Sequence, residues 1–381
     1  MFPLFPHTHL LVVAGSRAHG LSGPDSDVDL RGFAVPPLHV YLSMCPGFEQ
    51  ADAPADMDVF RPLLRPAERV VVERTKLEGA VYGLQKLARL AADCNPHVLE
   101  VLFCRDAEVR CQTDVGRDLR EGAHRFLSRR ARHSFGGYAT AQLKRIRNHR
   151  QWLLHPPSAA PTRAGFGLPE TTLVPRDQLA AATAAIQKRV DSWELDFTGV
   201  PKSTVVDVQN RVAAVLAEQS LGADDRWASA ARWVGLDDNF VDLMARERQY
   251  KRAMQEWQQH NAWKRNRNPE RAALEERFGY DTKHGAHLVR LLTMAVEIVE
   301  TGEVHVWRGD RDADELRAVR AGAWSYDTLE AFAESADARL DAALQSSPLP
   351  ERPDLDALDA WVVELTRRTF ATPPLPGARP A

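Results

Sequence analysis

The first third of the chain carries apolar and alternating runs that are typical of β-strands. Residues 9–14, His-Leu-Leu-Val-Val-Ala, form a short uninterrupted apolar run, which predicts a buried strand. After a glycine-bearing polar turn, apolar and charged residues alternate over 27–35, the period of a strand with one polar face. A third strand is predicted at either 70–73 or 76–82. The pattern therefore predicts a small sheet near the N-terminus.

Further along, apolar residues recur every three or four positions, the spacing of amphipathic helices. The clearest helices are predicted at 178–197, 204–220, 283–300 and 354–369. A proline-rich stretch at 155–175 predicts a mobile connection or an insertion. We therefore expect an α+β protein with a small mixed-sheet domain at 1–112 and a large helical domain at 113–345. A proline-rich C-terminal tail at 346–381 would hold one short helix.

Composition narrows the classes of partner and compartment. The 381 residues include 49 Lys and Arg against 52 Asp and Glu, a net charge of −3, so no overall field indicates a nucleic-acid or membrane partner. No run approaches the roughly 18 apolar residues that a membrane span requires. The apolar N-terminus lacks a basic leader and a cleavage site, so we expect no signal peptide. The four cysteines have no metal-ligand spacing, and we predict a reduced, cytoplasmic protein.

The most informative motif combines a Gly-Ser turn with two nearby aspartates. Gly15-Ser16 follows the first predicted strand, and Asp27 and Asp29 lie on the second. On a strand these two positions share a face, with Cα atoms about 6.6 Å apart, and adjacent carboxylates repel unless a cation lies between them. Mg²⁺ is commonly shared between such carboxylates and substrate phosphates, while a Gly-Ser turn offers N–H groups and a hydroxyl to phosphate. The motif predicts a phosphoryl-transfer site.

The same residues carry a family resemblance. Gly15-Ser-Arg-Ala-His-Gly20, followed by Asp25-Ser-Asp-Val-Asp-Leu-Arg-Gly32, resembles the DNA polymerase beta superfamily of nucleotidyltransferases. The arginine after the paired acids is similar to the branch called RNA-repair-pathway, or RNA-ligase-associated. Later stretches that resemble this branch lie at 82–87, 95–103, 126–128, 283–292 and 347–350. The resemblance covers roughly 9–145 and 280–352, and it implies a catalytic domain at 1–112 whose nucleotide cleft is completed by the helical domain.

The resemblance also implies the reaction. A nucleotide would pass from a nucleoside triphosphate to an acceptor hydroxyl, releasing pyrophosphate, with two Mg²⁺ or Mn²⁺ ions bound by Asp27, Asp29 and a third carboxylate. Glu78 occupies the third position, where the family leads us to expect aspartate, and Glu73 is the alternative. The implied acceptor is an RNA end, with a functional link to an RNA ligase and no membrane partner. The rival interpretations are transfer to a protein or small molecule, and an RNA-binding module with a decayed site.

Several residues around this motif are candidates for binding the nucleotide. They are Gly15, Ser16, Arg17, His19, Arg31, Lys283, His287 and Arg290. Arg31 lies on the face of the paired acids, so it could bind phosphate or simply neutralise the acids. For His19 the alternative is a structural hydrogen bond, which is often the only role of a lone histidine. The last three form one stripe of a helix, which either a bound anion or an acidic neighbour such as Glu297 would stabilise.

Positive charge is concentrated in one segment. Between Gly122 and Pro169 there are nine Lys or Arg residues and no Asp or Glu. Such a segment is suited to a nucleic-acid backbone, although a charged run is also typical of a solvated surface. The predicted RNA-binding residues are Arg129, Arg130, Arg132, Lys144, Arg145 and Arg147.

Overall fold

The computed structural model describes residues 2–24, 26–44, 47–171, 238–267 and 269–371. The chain divides into two compact units, one comprising 1–153 together with 268–381 and the other comprising 154–267. The second unit is thus inserted, in sequence, between two parts of the first. The helices predicted at 178–197 and 204–220 lie outside the described residues. The candidate site lies wholly within the first unit.

A five-stranded mixed sheet occupies the N-terminal part of the first unit. Its strands are β1 (Thr8–Ala14), β2 (Val28–Ala34), β3 (Gln50–Ala51), β4 (Leu77–Gly83) and β5 (Val109–Gln112). They are arranged in the order β3-β4-β2-β1-β5; β2 and β4 are parallel, and the other neighbouring pairs are antiparallel. The third strand predicted from the sequence is therefore the one at 76–82, because residues 70–72 belong to a helix.

The helices of the described residues follow the pattern predicted after the sheet. In chain order they are α1 (Gly15–Ala18), α2 (Leu38–Tyr41), α3 (Pro54–Asp58), α4 (Pro66–Val72), α5 (Leu84–Ala92), α6 (Pro96–Leu102), α7 (Asp114–Glu121), α8 (Arg130–Leu154), α9 (Asp238–Asn266), α10 (Pro269–Phe278), α11 (Thr282–Thr301), α12 (Ala313–Arg320), α13 (Tyr326–Ser346) and α14 (Leu355–Ala371). The helices predicted at 283–300 and 354–369 are confirmed as α11 and α14. No helix in the described ranges is both long and apolar enough to cross a membrane.

Local sequence explains where α11 begins and ends. The Asp281 carboxylate accepts hydrogen bonds from the backbone N–H groups of Lys283 and His284, which caps the helix at its N-terminus. Gly302 ends the helix in the left-handed conformation, with φ of 76°, which glycine adopts without a side-chain clash. These caps fix the two ends of the helix that carries three of the predicted nucleotide-binding residues.

Alternation along the strands separates two cores on either side of the sheet. Leu10 and Val12 of β1 pack with α5, α6, α7 and α14, whereas Leu11 and Val13 pack on the opposite face against Met57. A third core joins α8, α11 and α13. Since Leu99 of α6 packs in this third core as well, the helical core is continuous with the sheet domain. The expected α+β architecture is confirmed.

Candidate active site

Gly15, the first residue after β1, lies very close to the side chain of Asp29. Gly15 begins α1 immediately after β1, with φ of 62°, and β1 pairs with β2 so that Ala14 lies opposite Asp29. A Cβ atom placed on Gly15 would lie 2.1 Å from Oδ2 of Asp29. Glycine is therefore required twice, for its left-handed backbone and for the space that the carboxylate occupies.

The three candidate carboxylates belong to residues near one end of the parallel pair β2 and β4. Asp29 lies opposite Glu78 in the register of these strands, and Asp27 directly precedes β2. Asp27 is exposed, and its carboxylate accepts a hydrogen bond of 3.2 Å from the backbone N–H of Lys76. Glu78 is half exposed, with Oε1 3.7 Å from Nζ of Lys76.

The electrostatics of Asp29 reflect this crowding. Burial raises the pKa of the Asp29 carboxyl, and the negative charges of Glu78 and Asp27 raise it further. The cationic side chains of Arg31 and Lys283 act in the opposite direction. A cation stabilises a partly desolvated carboxylate that lies beside two others. The charge distribution therefore favours a bound cation next to Asp29.

The donor set suits a divalent ion shared with substrate phosphates. Mg²⁺ is usually held by one or two carboxylates together with phosphate oxygens, and Asp27 and Asp29 supply two hard oxygen ligands beside the Gly15 cradle. Among the described residues, no group of three or more His, Cys, Asp or Glu side chains forms a metal centre by itself. Glu73 ends α4, whereas Glu78 lies on the strand next to Asp29, which favours Glu78 as the third carboxylate.

A cavity of about 170 Å³ opens beside the Gly-Ser turn. It is lined by seven of the eight predicted nucleotide-binding residues, namely Gly15, Ser16, His19, Arg31, Lys283, His287 and Arg290. The eighth, Arg17, instead donates hydrogen bonds to the backbone carbonyls of Ser26 and Asp27, at 2.7 and 3.2 Å, and so braces the turn before β2. Gly15 and Arg290, which are 275 positions apart in sequence, thus line one cavity.

Arg31, which lines this cavity, has an unsatisfied donor. Its side chain alternates with the buried Leu30 along β2, so it lies on the same face of the strand as Asp29. The Nη1 atom of Arg31 is buried and has no hydrogen-bond partner within the described residues. Because a buried guanidinium N–H without a partner is costly, the geometry favours an anion at this position.

The predicted stripe on α11 is not a row of like charges. Arg290 is 3% exposed, and its Nη1 donates a 2.5 Å hydrogen bond to Oε1 of Glu100, on α6. Glu100 is therefore the acidic neighbour of this stripe, whereas Glu297 pairs with Arg308. Burial and the charge of Arg290 lower the pKa of His287 to about 3, so its imidazole is neutral near pH 7.

His19 also belongs to this buried cluster. Its Nε2 lies 3.5 Å from Oε2 of Glu100, and its Nδ1 lies 3.2 Å from the carbonyl oxygen of Val306. The ring is 4% exposed. These contacts are those of a structural histidine that holds the turn after Ser16 against the helical core.

Four further polar residues that line the cavity were missed from the sequence. His97 and Glu100 lie on α6, and Arg317 and Arg320 lie on α12. The α6 pair falls in the stretch 95–103 that carried the family resemblance, so a signal for it was present. The two arginines have no such signal: Arg317 donates to the Gly20 carbonyl at 2.6 Å and Arg320 to the Leu21 carbonyl at 3.3 Å, contacts that join distant parts of the sequence.

The arginines of the basic segment have partners elsewhere in the first unit. The acidic side chains that pair with them are Asp93 for Arg130, Asp337 and Asp341 for Arg132, and Glu330 for Arg147. Arg129 donates to the backbone carbonyls of Ser347 and Leu349, and Arg145 contacts His284. Lys144 is exposed. The acids missing from the segment are thus supplied largely by α13, and binding of RNA by these six residues stays a prediction.

Comparison with known proteins identifies the family that this region resembles. Residues 7–154 match the model of the RNA repair pathway DNA polymerase beta family, RlaP. No curated protein and no solved structure matches the chain. The match extends from β1 through α8 and confirms the resemblance predicted from the Gly-Ser and paired-acid motifs. It implies a nucleotidyltransferase of the polymerase beta type, in the context of RNA repair.

Proposed function

We propose that the protein is a metal-dependent nucleotidyltransferase that transfers a nucleotide from a nucleoside triphosphate to the hydroxyl of an RNA end. One observation carries the proposal: Gly15 lies against Asp29 of the carboxylate cluster and also lines a cavity with Arg31, whose Nη1 has no hydrogen-bond partner among the described residues. A nucleoside triphosphate needs both environments, because its phosphates bind metal on one side and hydrogen-bond donors on the other.

The chain's own residues would hold and orient the triphosphate. Gly15 and Ser16 line the cavity together with the cationic residues Arg31 and Lys283. Phosphoryl transfer depends mainly on positioning and charge stabilisation, and these four residues supply both. Leu21, Ala286 and Leu316 give the same cavity an apolar wall.

Asp27 and Asp29 are the residues that would hold divalent cations, with Glu78 as the third carboxylate. When bound there, a divalent cation supplies Lewis-acid stabilisation of the transferring phosphoryl group. In the reaction a bond forms between the acceptor oxygen and the α-phosphorus. The bond from that phosphorus to the bridging oxygen of the β-phosphate breaks, the hydroxyl proton is released, and pyrophosphate leaves.

The choice of RNA as acceptor rests on the RNA-repair family match, and a functional link to an RNA ligase belongs to the same proposal. A second candidate, transfer to a protein or small molecule, is favoured by one observation. Arg130, Arg132 and Arg147 of the basic segment are engaged with acidic side chains of the same chain, which removes much of the positive surface proposed for RNA.

Labelling distinguishes these acceptors. The protein is incubated with each α-labelled nucleoside triphosphate, Mg²⁺ or Mn²⁺, and RNA with a free 3′ hydroxyl. We expect label that resists protease and is removed by ribonuclease. Label that resists ribonuclease and migrates with a polypeptide would contradict the RNA acceptor and favour the second candidate.

An Asp29→Asn chain serves as the catalytic control and should transfer no label. If the wild-type chain binds nucleoside triphosphate but transfers no label to any acceptor, the protein is a binding module with a decayed site. Glu78, in place of aspartate, is then the first residue to test, by Glu78→Asp.

A further inference from the structure

A chain of buried polar contacts runs from α6 to the cavity through α11. Oε1 of Glu100 accepts from Nη1 of Arg290 at 2.5 Å, and Nη2 of Arg290 lies 3.2 Å from Nδ1 of His287. Glu100 and Arg290 are 4% and 3% exposed, so water does not compete for the contact between them, whereas the contact of Arg290 with His287 is partly buried. His287 is partly exposed and lines the cavity beside Lys283.

The direction of the second contact follows from the chemistry of the two groups. A guanidinium carries only donors, so Arg290 must donate and Nδ1 of His287 must accept. A neutral imidazole has one protonated and one unprotonated nitrogen, which places the ring proton of His287 on Nε2. Nε2 makes no hydrogen bond to any residue that the structure describes. The low pKa of His287, about 3, keeps the ring neutral at physiological pH.

We infer that Glu100 and Arg290 fix His287 in the Nε2–H tautomer, so that this N–H is a neutral hydrogen-bond donor to a phosphoryl oxygen of the bound nucleotide. The inference about phosphate rests on the proposed function; the inference about the tautomer does not. Glu100 and Arg290 are positioning residues, which act on the ligand through His287.

The surroundings of His287 favour phosphate as the acceptor. Lys283 precedes it by one turn of α11, and both Lys283 and Arg31 interact electrostatically with Asp29, so this end of the cavity is where the phosphates would meet the carboxylates. A neutral donor adds a directional contact without adding another cation to a site that already holds several. The ring is therefore suited to orienting a phosphoryl group rather than attracting it.

Glu100 also connects Arg290 and His287 to the turn that follows Ser16. Its second oxygen, Oε2, lies 3.5 Å from Nε2 of His19, in the turn that follows Ser16. One carboxylate thus holds both the turn that faces the phosphates and the arginine that orients His287. Both of these contacts of Glu100 are buried.

The tautomer is measured directly by ¹⁵N NMR of histidine-labelled full-length protein. We expect the ring signals of His287 to show an unprotonated Nδ1 and a protonated Nε2 at neutral pH. The opposite tautomer, a doubly protonated ring, or a mixture of tautomers would overturn the inference. The double variant Arg290→Met with Glu100→Gln replaces both members of the buried ion pair by neutral groups, and should release the ring into a mixture of tautomers. A fixed tautomer that persists in a folded double variant would overturn the role of the pair.

Two substitutions of His287 test whether Nε2–H donates a hydrogen bond to phosphate, because they place a side-chain amide N–H at different positions. Glutamine at 287 can place its N–H near the position of Nε2, whereas asparagine can place it only near Nδ1. Binding of inorganic triphosphate with Mg²⁺, measured by calorimetry, should weaken about tenfold or more in His287→Asn, the loss expected for a hydrogen bond to a charged group. His287→Gln should remain within about threefold of the wild type.

His133→Asn is the matched control, since this exposed histidine of α8 is not part of the cavity, and it should not alter binding. Equal losses in His287→Gln and His287→Asn, or no loss in either, would overturn the donor role while wild-type binding upholds the proposed function. A wild-type chain that has the expected tautomer but binds no triphosphate would overturn both the donor role and the proposed function.

Discussion

Replacing Gly15 by alanine tests the closest approach in the candidate active site. The added Cβ would lie 2.1 Å from Oδ2 of Asp29, about 1.3 Å short of the 3.4 Å at which ordinary contact begins. The carboxylate must therefore move by about an ångström or the turn must open. Displacements of this size at a reacting centre cost on the order of 100-fold in rate, and the left-handed backbone adds about 1–2 kcal/mol of strain. We expect kcat to fall about 100-fold while the chain stays folded.

Two assays separate this local effect from a general loss of structure. Nucleotide transfer gives kcat, and calorimetric titration with Mn²⁺ gives the affinity of the carboxylate cluster; both should fall in Gly15→Ala. Gly137→Ala is the matched control, because Gly137 lies on α8 with no atom within 4 Å of an added Cβ. That helix substitution should leave activity unchanged and raise the free energy of unfolding by about 0.5–1 kcal/mol. Wild-type kcat and Mn²⁺ affinity in Gly15→Ala would refute the reasoning.

Three further outcomes follow from charges away from the turn. Glu100→Gln leaves the buried Arg290 guanidinium without its carboxylate and should lower the free energy of unfolding in urea by about 3–5 kcal/mol. The control Lys86→Gln removes an exposed ion pair and should change that free energy by less than about 1 kcal/mol. Equal effects of the two substitutions would contradict the buried ion pair of Glu100 and Arg290. The double variant Lys144→Glu with Arg145→Glu should bind single-stranded RNA with a weaker salt dependence. The slope of log affinity against log salt concentration should fall in magnitude by about 0.7 for each phosphate that the variant no longer binds. An unchanged slope would mean that these two residues belong to a solvated surface. Burial lowers the pKa of His9 to about 4, so unfolded His9 takes up a proton between pH 4 and 6.5 that folded His9 does not. The free energy of unfolding should therefore rise with pH across that window, by at most about 1.4 kcal/mol per pH unit for this residue, and His9→Leu should flatten the rise.

The parts of the site that sequence could predict depend on local pattern. Alternation of Val28 and Leu30 with charged residues marked β2 and gave Asp29 its face, because strand periodicity is set by the backbone. The apolar spacing of 283–300 marked α11 for a similar reason. Sequence leaves the third strand ambiguous because the apolar residues 70–72 suit either a strand or a helix. In the structure it is the later run, 77–83, that pairs with β2.

The parts that sequence could not predict depend on long-range pairing. Arg290 looked like one of three like charges because its partner, Glu100, lies 190 positions earlier in the chain. The basic segment looked like an RNA surface because its acidic partners, such as Glu330, lie on a helix nearly 200 residues away. Family resemblance indicated which residues share the cavity, but only the fold shows which of their charges are already neutralised.

Pyrophosphate release is the most direct test of the central claim, that Asp27 and Asp29 act with the adjoining cavity in nucleotide transfer. The rate is measured for each nucleoside triphosphate with Mg²⁺ or Mn²⁺, with and without an RNA acceptor, for the wild type and for Asp27→Asn with Asp29→Asn. We expect release by the wild-type chain that depends on both metal and RNA, and no release by a double variant that remains folded. Release at the wild-type rate by the double variant would contradict the claim.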